Sequence, residues 1–196
     1  MIRIVHTRRL LAAAVVGVAL LHNVRSADAA TLSTAQLQAL KADMNGDGAI
    51  QAIPHTSDGF AQIAALYNAT ASPDYWVWRT FVPDREIYEA TTVDATTWSW
   101  TIYIARSQGE RDAWRQMVNM AGGINASLAS VRTGIADIFS GAGGLNQRTH
   151  LLTLGRRKAT RGEKLFATGA GSTAAPSVMA VEGVITPQNI EAAFAS

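Results

Sequence analysis

The sequence predicts a mainly α protein: a helical bundle with a long basic helix and a C-terminal extended or β arm. Three observations carry this prediction. Apolar residues recur at helical spacing in several stretches. Helix-start signals stand in front of those stretches, and glycines stand behind them. The chain has 196 residues, 48% of them hydrophobic and 16% charged, with 16 Gly and 5 Pro. That composition suits one folded domain with an appendage and excludes a disordered or collagen-like chain. The absence of cysteine excludes a disulfide scaffold, thiolate metal sites and a cysteine nucleophile.

Three segments are expected: a leader (1–30), a helical core (31–168) and a C-terminal arm (169–196). The leader opens with Arg3, Arg8 and Arg9, continues through the apolar run Leu10–Leu21 and ends in Ala27-Asp28-Ala29. It reads as a secretory signal or as residues added by a misassigned start, and its run is too short to span a membrane comfortably.

In the core, Ser33 and Gln36 form a capping box, with Leu32 and Leu37 as a hydrophobic staple, and open a helix over 34–44. Phe60, Ile63, Ala64 and Tyr67 predict a second helix over 58–69. Trp98, Trp100, Ile102 and Ile104 recur with period two, which reads as a strand or a buried helix. Ser107 and Glu110 form a second capping box for a helix over 108–120 that Gly122 and Gly123 can stop. A helix over 128–139 turns Val131, Ile135, Ile138 and Phe139 inward. The longest helix is expected over 145–168, where Gly155 and Gly162 signal close contact with neighbours. The arm begins with the flexible stretch GAGSTAAP (169–176) and a short β-prone segment, and it ends in a helix that Thr186-Pro187 initiates.

Charge is the strongest non-random feature. Residues 30–147 carry a net −4, whereas residues 148–164 carry a net +5. Arg148, Arg156, Arg157, Lys158, Arg161 and Lys164 are therefore the candidate interface or phosphate-contacting residues. Three readings compete: contact with DNA phosphates without sequence preference, contact with the acidic face of another copy or partner, and a solvated face.

Asp43, Asn45 and Asp47, followed by Gly48 and Ile50, match the first half of a calcium loop. Its twelfth position, where a bidentate carboxylate belongs, is Pro54. These residues are a weak calcium candidate, and no metal site or cofactor is expected. His55-Thr56-Ser57-Asp58 holds triad residue types, but sequence neighbours do not face one another as a triad must. Thr56 or Ser57 reads as a helix cap instead. His150 reads as a solvated or interface histidine. The tryptophans, four of them within 76–100, read as core residues or interface anchors.

Several stretches resemble a family found in genomes of tailed bacteriophages and prophages. They are LSTAQLQALKADMN (32–45), VWRT (77–80), SQGERDAWRQM (107–117), NASLASVRTGIADIFSG (125–141), QRTHLL (147–152), RRKATRGEKLFATGAGSTAAP (156–176) and VEG (181–183). The resemblance spans about 165 residues and identifies a family rather than a reaction. It implies a non-enzymatic virion protein assembled in the host cytoplasm, best placed as a head-to-tail adaptor (neck) ring subunit. The implied partners are other copies, portal and tail or neck proteins, and DNA through non-specific contact, with no small-molecule substrate. A tail-completion or tail-associated protein is the alternative. An exported periplasmic calcium-binding module is another, should the leader be a true signal.

Overall fold

A computed structural model describes residues 28–89, 97–119 and 122–196; the leader through residue 27 lies outside the described residues. The fold is mainly α. In chain order the elements are α1 (Thr34–Asn45), α2 (Gly48–Gln51), α3 (Ser57–Asn68), β1 (Trp76–Trp78), β2 (Val82–Pro83), α4 (Asp84–Tyr88), α5 (Trp100–Ile104), α6 (Gln108–Asn119), β3 (Gly123–Ile124), α7 (Ala129–Ile138), α8 (Leu145–Leu154), β4 (Arg156–Lys158), α9 (Arg161–Phe166), β5 (Ala167–Thr168), β6 (Val178–Met179) and α10 (Pro187–Ala195).

Local signals set most helix starts. The Ser33–Gln36 box caps α1, and the Thr56 hydroxyl accepts from the Gly59 amide at the start of α3. The Ser107 amide donates to the Glu110 carboxylate at 2.7 Å ahead of α6. Thr186 caps α10, with Pro187 in its first turn. The period-two tract resolves as helix α5, because the Ser99 hydroxyl accepts from the Ile102 amide and starts a turn there.

Two hydrophobic cores organise these elements. The terminal lobe joins the two ends of the chain: Leu40, Met44, Ile50, Ile63 and Tyr67 pack with Phe166, Val181, Ile185 and Ile190. The central lobe is built from one continuous stretch, with Val82, Ile87, Trp98, Trp114, Ile135, Phe139 and Leu151 inside. Between the lobes, β1 pairs antiparallel with β4, placing Trp76 opposite Lys158 and Trp78 opposite Arg156.

The structure corrects two expectations. No single long basic helix spans 145–168: α8 ends at Leu154, β4 takes up Arg156–Lys158, and α9 starts afresh at Arg161. A capping box, Thr160 with Glu163, forces the restart, because each side chain bonds the other residue's amide. Gly155 and Gly162 do mark close contacts. A β-carbon at Gly155 would lie 2.8 Å from that of Ala126, and one at Gly162 would lie 2.8 Å from Ile185 Cγ1.

Residues 169–196 are the second correction, since they do not stand off as an arm. Val181, Ile185, Ile190 and Ala193 are buried in the terminal core. Asn68 clamps the segment by donating to the Ile185 carbonyl at 2.8 Å and accepting from its amide at 2.9 Å. The Ala30 amide donates to the Val184 carbonyl at 2.9 Å. The run GAGSTAAP is a structured turn. Gly171 has a φ of +68° and sits against the Tyr75 ring, where a β-carbon would clash at 2.0 Å. Only glycine meets both demands.

Candidate functional site

The six candidate cations do not share one helix face. Arg148 lies on α8, Arg156 to Lys158 form β4, and Arg161 and Lys164 lie on α9. Arg157, Lys158 and Arg161 are engaged by carboxylates of this same chain. Arg157 makes a two-pronged pair with Glu163, at 2.6 and 2.7 Å, and reaches Glu182 at 3.3 Å. Glu163 is buried, and its bonds hold the Arg157 guanidinium above the ordinary arginine range. Lys158 pairs with Asp74 at 2.7 Å near the surface.

Arg161 stands between Asp43, at 2.8 Å, and Asp47, at 2.7 Å, with its guanidinium 4.7 Å from the Tyr67 ring centre. Tyr67 is buried, and its hydroxyl donates to Asp43 Oδ2 at 2.6 Å. Burial, followed by the Asp43 carboxylate, pushes this phenol above its ordinary range. The Arg161 hydrogen bond is the main cause that holds Asp47 below the usual carboxylate value. Asp47 Oδ1 also caps α2 by accepting from Ala49 at 3.0 Å and Ile50 at 3.4 Å.

This arrangement bears on the calcium candidate. Asp43 and Asp47 both point at Arg161, whose two terminal nitrogens each donate to one of them, so one of their two negative charges is already offset. Calcium here would have to displace Arg161 from both carboxylates. Among the described residues no group of three metal-ligating side chains gathers elsewhere.

Arg148 and Arg156 each reach a backbone carbonyl. Arg148 donates to the Phe139 carbonyl at 2.7 Å. Arg156 donates to the Thr173 carbonyl at 2.6 Å and lies 5.8 Å from the Trp76 ring centre. Lys164 faces the Tyr75 ring at 5.6 Å. A cleft of about 600 Å³ beside Arg161 and Lys164 is lined also by Asp43, Ala71 and Leu165. Thr70 and Ser72 supply its hydroxyls, and Leu66 completes its lining.

The histidines part from a catalytic arrangement. His55 packs against Phe194 in a tilted pair, with ring centres 4.0 Å apart, next to the cap residue Thr56. His150 is fully buried, with Nε2 3.3 Å from the Ile87 carbonyl, which corrects its expected place at a surface or interface. Trp98 and Trp114 belong to the central core, whereas Trp100 is exposed.

Sequence reasoning missed Tyr67, Glu163 and Glu182 as partners of the cations. The T-x-x-E box at Thr160–Glu163 was a readable signal for one of them. Tyr67 and Glu182 carry no local mark, because their partners lie far along the chain. No family model matches the chain, and no curated protein or solved structure matches it.

Proposed function

We propose that this chain is a non-enzymatic structural subunit of a tailed-bacteriophage particle, with the head-to-tail neck ring as its position. The resemblance supplies the particle class. One observation supports a scaffold role for the resembling residues: cations of the segment 156–176 are spent on fastening the chain to itself. Within it, Arg157, Lys158 and Arg161 are held by Glu163, Asp74, Asp43 and Asp47. A guanidinium held by two carboxylates is a rigid strut, and breaking it leaves a charge without its partner. DNA phosphates would have to compete with those internal carboxylates, which favours protein contact over DNA contact.

The test is composition and place. Mass spectrometry of purified parent particles should find the protein at fixed stoichiometry, and cryo-electron microscopy should locate it between head and tail. Density within the tail would move the assignment to a tail-associated protein. Absence from particles, or a mature periplasmic form starting near Ala30, would overturn the reading.

A further inference from the structure

We infer that the α5 face of the central lobe is the docking surface for the acidic terminal lobe of a second copy of this chain. The inference rests on the subunit reading and names its contact faces.

Trp100 and Ile104 stand four residues apart on α5, so they share one helix face. They are 57% and 65% exposed, and Leu145, at the start of α8, is 51% exposed. Burying an exposed tryptophan side by side with isoleucine is the typical anchor of a protein interface.

Three arginines gather next to this face. Arg111 donates to the carbonyls of Ile104, at 2.9 Å, and Arg106, at 2.6 Å. Arg106 donates to the Ser140 carbonyl at 3.2 Å, and Arg148 donates to the adjacent Phe139 carbonyl at 2.7 Å. A carbonyl orients a guanidinium but leaves its charge uncompensated. None of the three pairs with a carboxylate among the described residues. Glu110 is near Arg106, but its carboxylate is tied to the Ser107 amide and hydroxyl, each at 2.7 Å. The face is thus apolar at its centre and positive at its edge.

Charge complementarity identifies the occupant. The terminal lobe, residues 28–69 and 160–196, carries three basic and seven acidic side chains, a net of −4. Asp58 and Glu191 are exposed on α3 and α10, which pack against each other. A contact between two different faces of identical subunits is head-to-tail, and it closes into a ring when the rotation allows. Aliphatic anchors on the α5 face favour a protein surface over stacked bases.

The experiment uses light scattering and sedimentation of the full chain. Self-association is expected at about 100 μM in about 0.05 M salt and should weaken at least about tenfold in about 0.5 M salt, where surface charges are screened. The variants W100S/I104S and D58K/E191K should each lose at least about tenfold in association while keeping the wild-type circular dichroism. Mixed together, they should form a one-to-one dimer that grows no further, since each retains the face the other lacks. A wild-type chain that stays monomeric, either variant associating like wild type, or a mixture that fails to pair would overturn the inference. A dT20 oligonucleotide that quenches tryptophan fluorescence in wild type but not in W100S/I104S would instead assign the face to single-stranded nucleic acid. Presence of the protein in particles is read separately, so the contact face can fail while the subunit reading stands.

Discussion

The two lobes use opposite means to stay folded. The central lobe is closed within the stretch from Val82 to Leu154, largely by rings: Trp98 packs against Trp114 and Phe139 at centroid distances of 5.4 and 6.1 Å. The Trp114 indole donates to the Tyr88 hydroxyl at 3.1 Å, and arginines here anchor on carbonyls. The terminal lobe is closed by partners more than a hundred residues apart. Arg161 crosses to Asp43 and Asp47, Asn68 crosses to Ile185, and Lys41 reaches the Phe194 and Ser196 carbonyls. One lobe carries its cohesion within a single stretch of chain and keeps spare positive charge at its surface. The other ties Asp43, Asp47 and Glu163 to arginines, leaves Asp58 and Glu191 exposed, and depends on the return of the C-terminal segment.

That contrast can be broken most severely by removing residues 169–196. Truncation after Thr168 takes Val181, Ile185, Ile190 and Ala193 out of the terminal core. At about 1.5–3 kcal/mol per buried large apolar side chain, the loss exceeds about 5 kcal/mol. The terminal lobe should unfold. Limited proteolysis should then cleave within 34–68 while tryptophan emission from the central lobe stays blue-shifted. Wild-type resistance over 34–68 would show that the lobe does not need the return segment.

Trp114→Ala strikes the other side. Trp114 is 1% exposed, and truncating a buried tryptophan costs about 3–5 kcal/mol. Hydrogen exchange should speed up over 98–154 and stay slow over 186–195. Equal acceleration in both regions would mean that the lobes unfold as one.

A smaller effect is expected from Glu163→Gln, which keeps the shape but removes the buried charge facing Arg157. Loss of one partner of a largely buried pair should cost about 2–4 kcal/mol, measurable by urea denaturation. A loss below about 0.5 kcal/mol would reduce the pair to a surface interaction.

The mildest test is acid. The Arg161 hydrogen bond depresses Asp47 from its ordinary 3.8. A depressed carboxylate contributes stability that is present above its unfolded value and is lost as pH falls through the lower folded value. The terminal lobe should therefore weaken below about pH 4, and Asp47→Asn should flatten that part of the curve. An identical acid profile in the variant would remove Asp47 from the lobe's pH dependence.

Charge was legible in the sequence as a run and illegible as a set of pairs. The excess over 148–164 suggested one positive helix. Thr160 and Glu163, two letters of the same run, were enough to break it, because a capping box competes with helix continuation at that point. The exposed Trp100 and buried Trp98 could not be told apart by type or spacing, since their fates depend on the ring of Tyr88 stacked 5.4 Å from Trp100 and on the core behind Trp98.

What the residues decided alone is local. Caps at Ser33, Thr56, Ser107 and Thr186 set where helices begin, because each bond closes within three residues and needs no distant partner. The mainly α class follows from those caps and the apolar spacing between them. The pairing of the chain ends, the partners of Arg157 and Arg161, and the burial of the C-terminal segment were decided only by the tertiary structure. Such contacts are selected by which surfaces and charges meet after the chain has closed long loops, and a linear pattern holds no record of that closure.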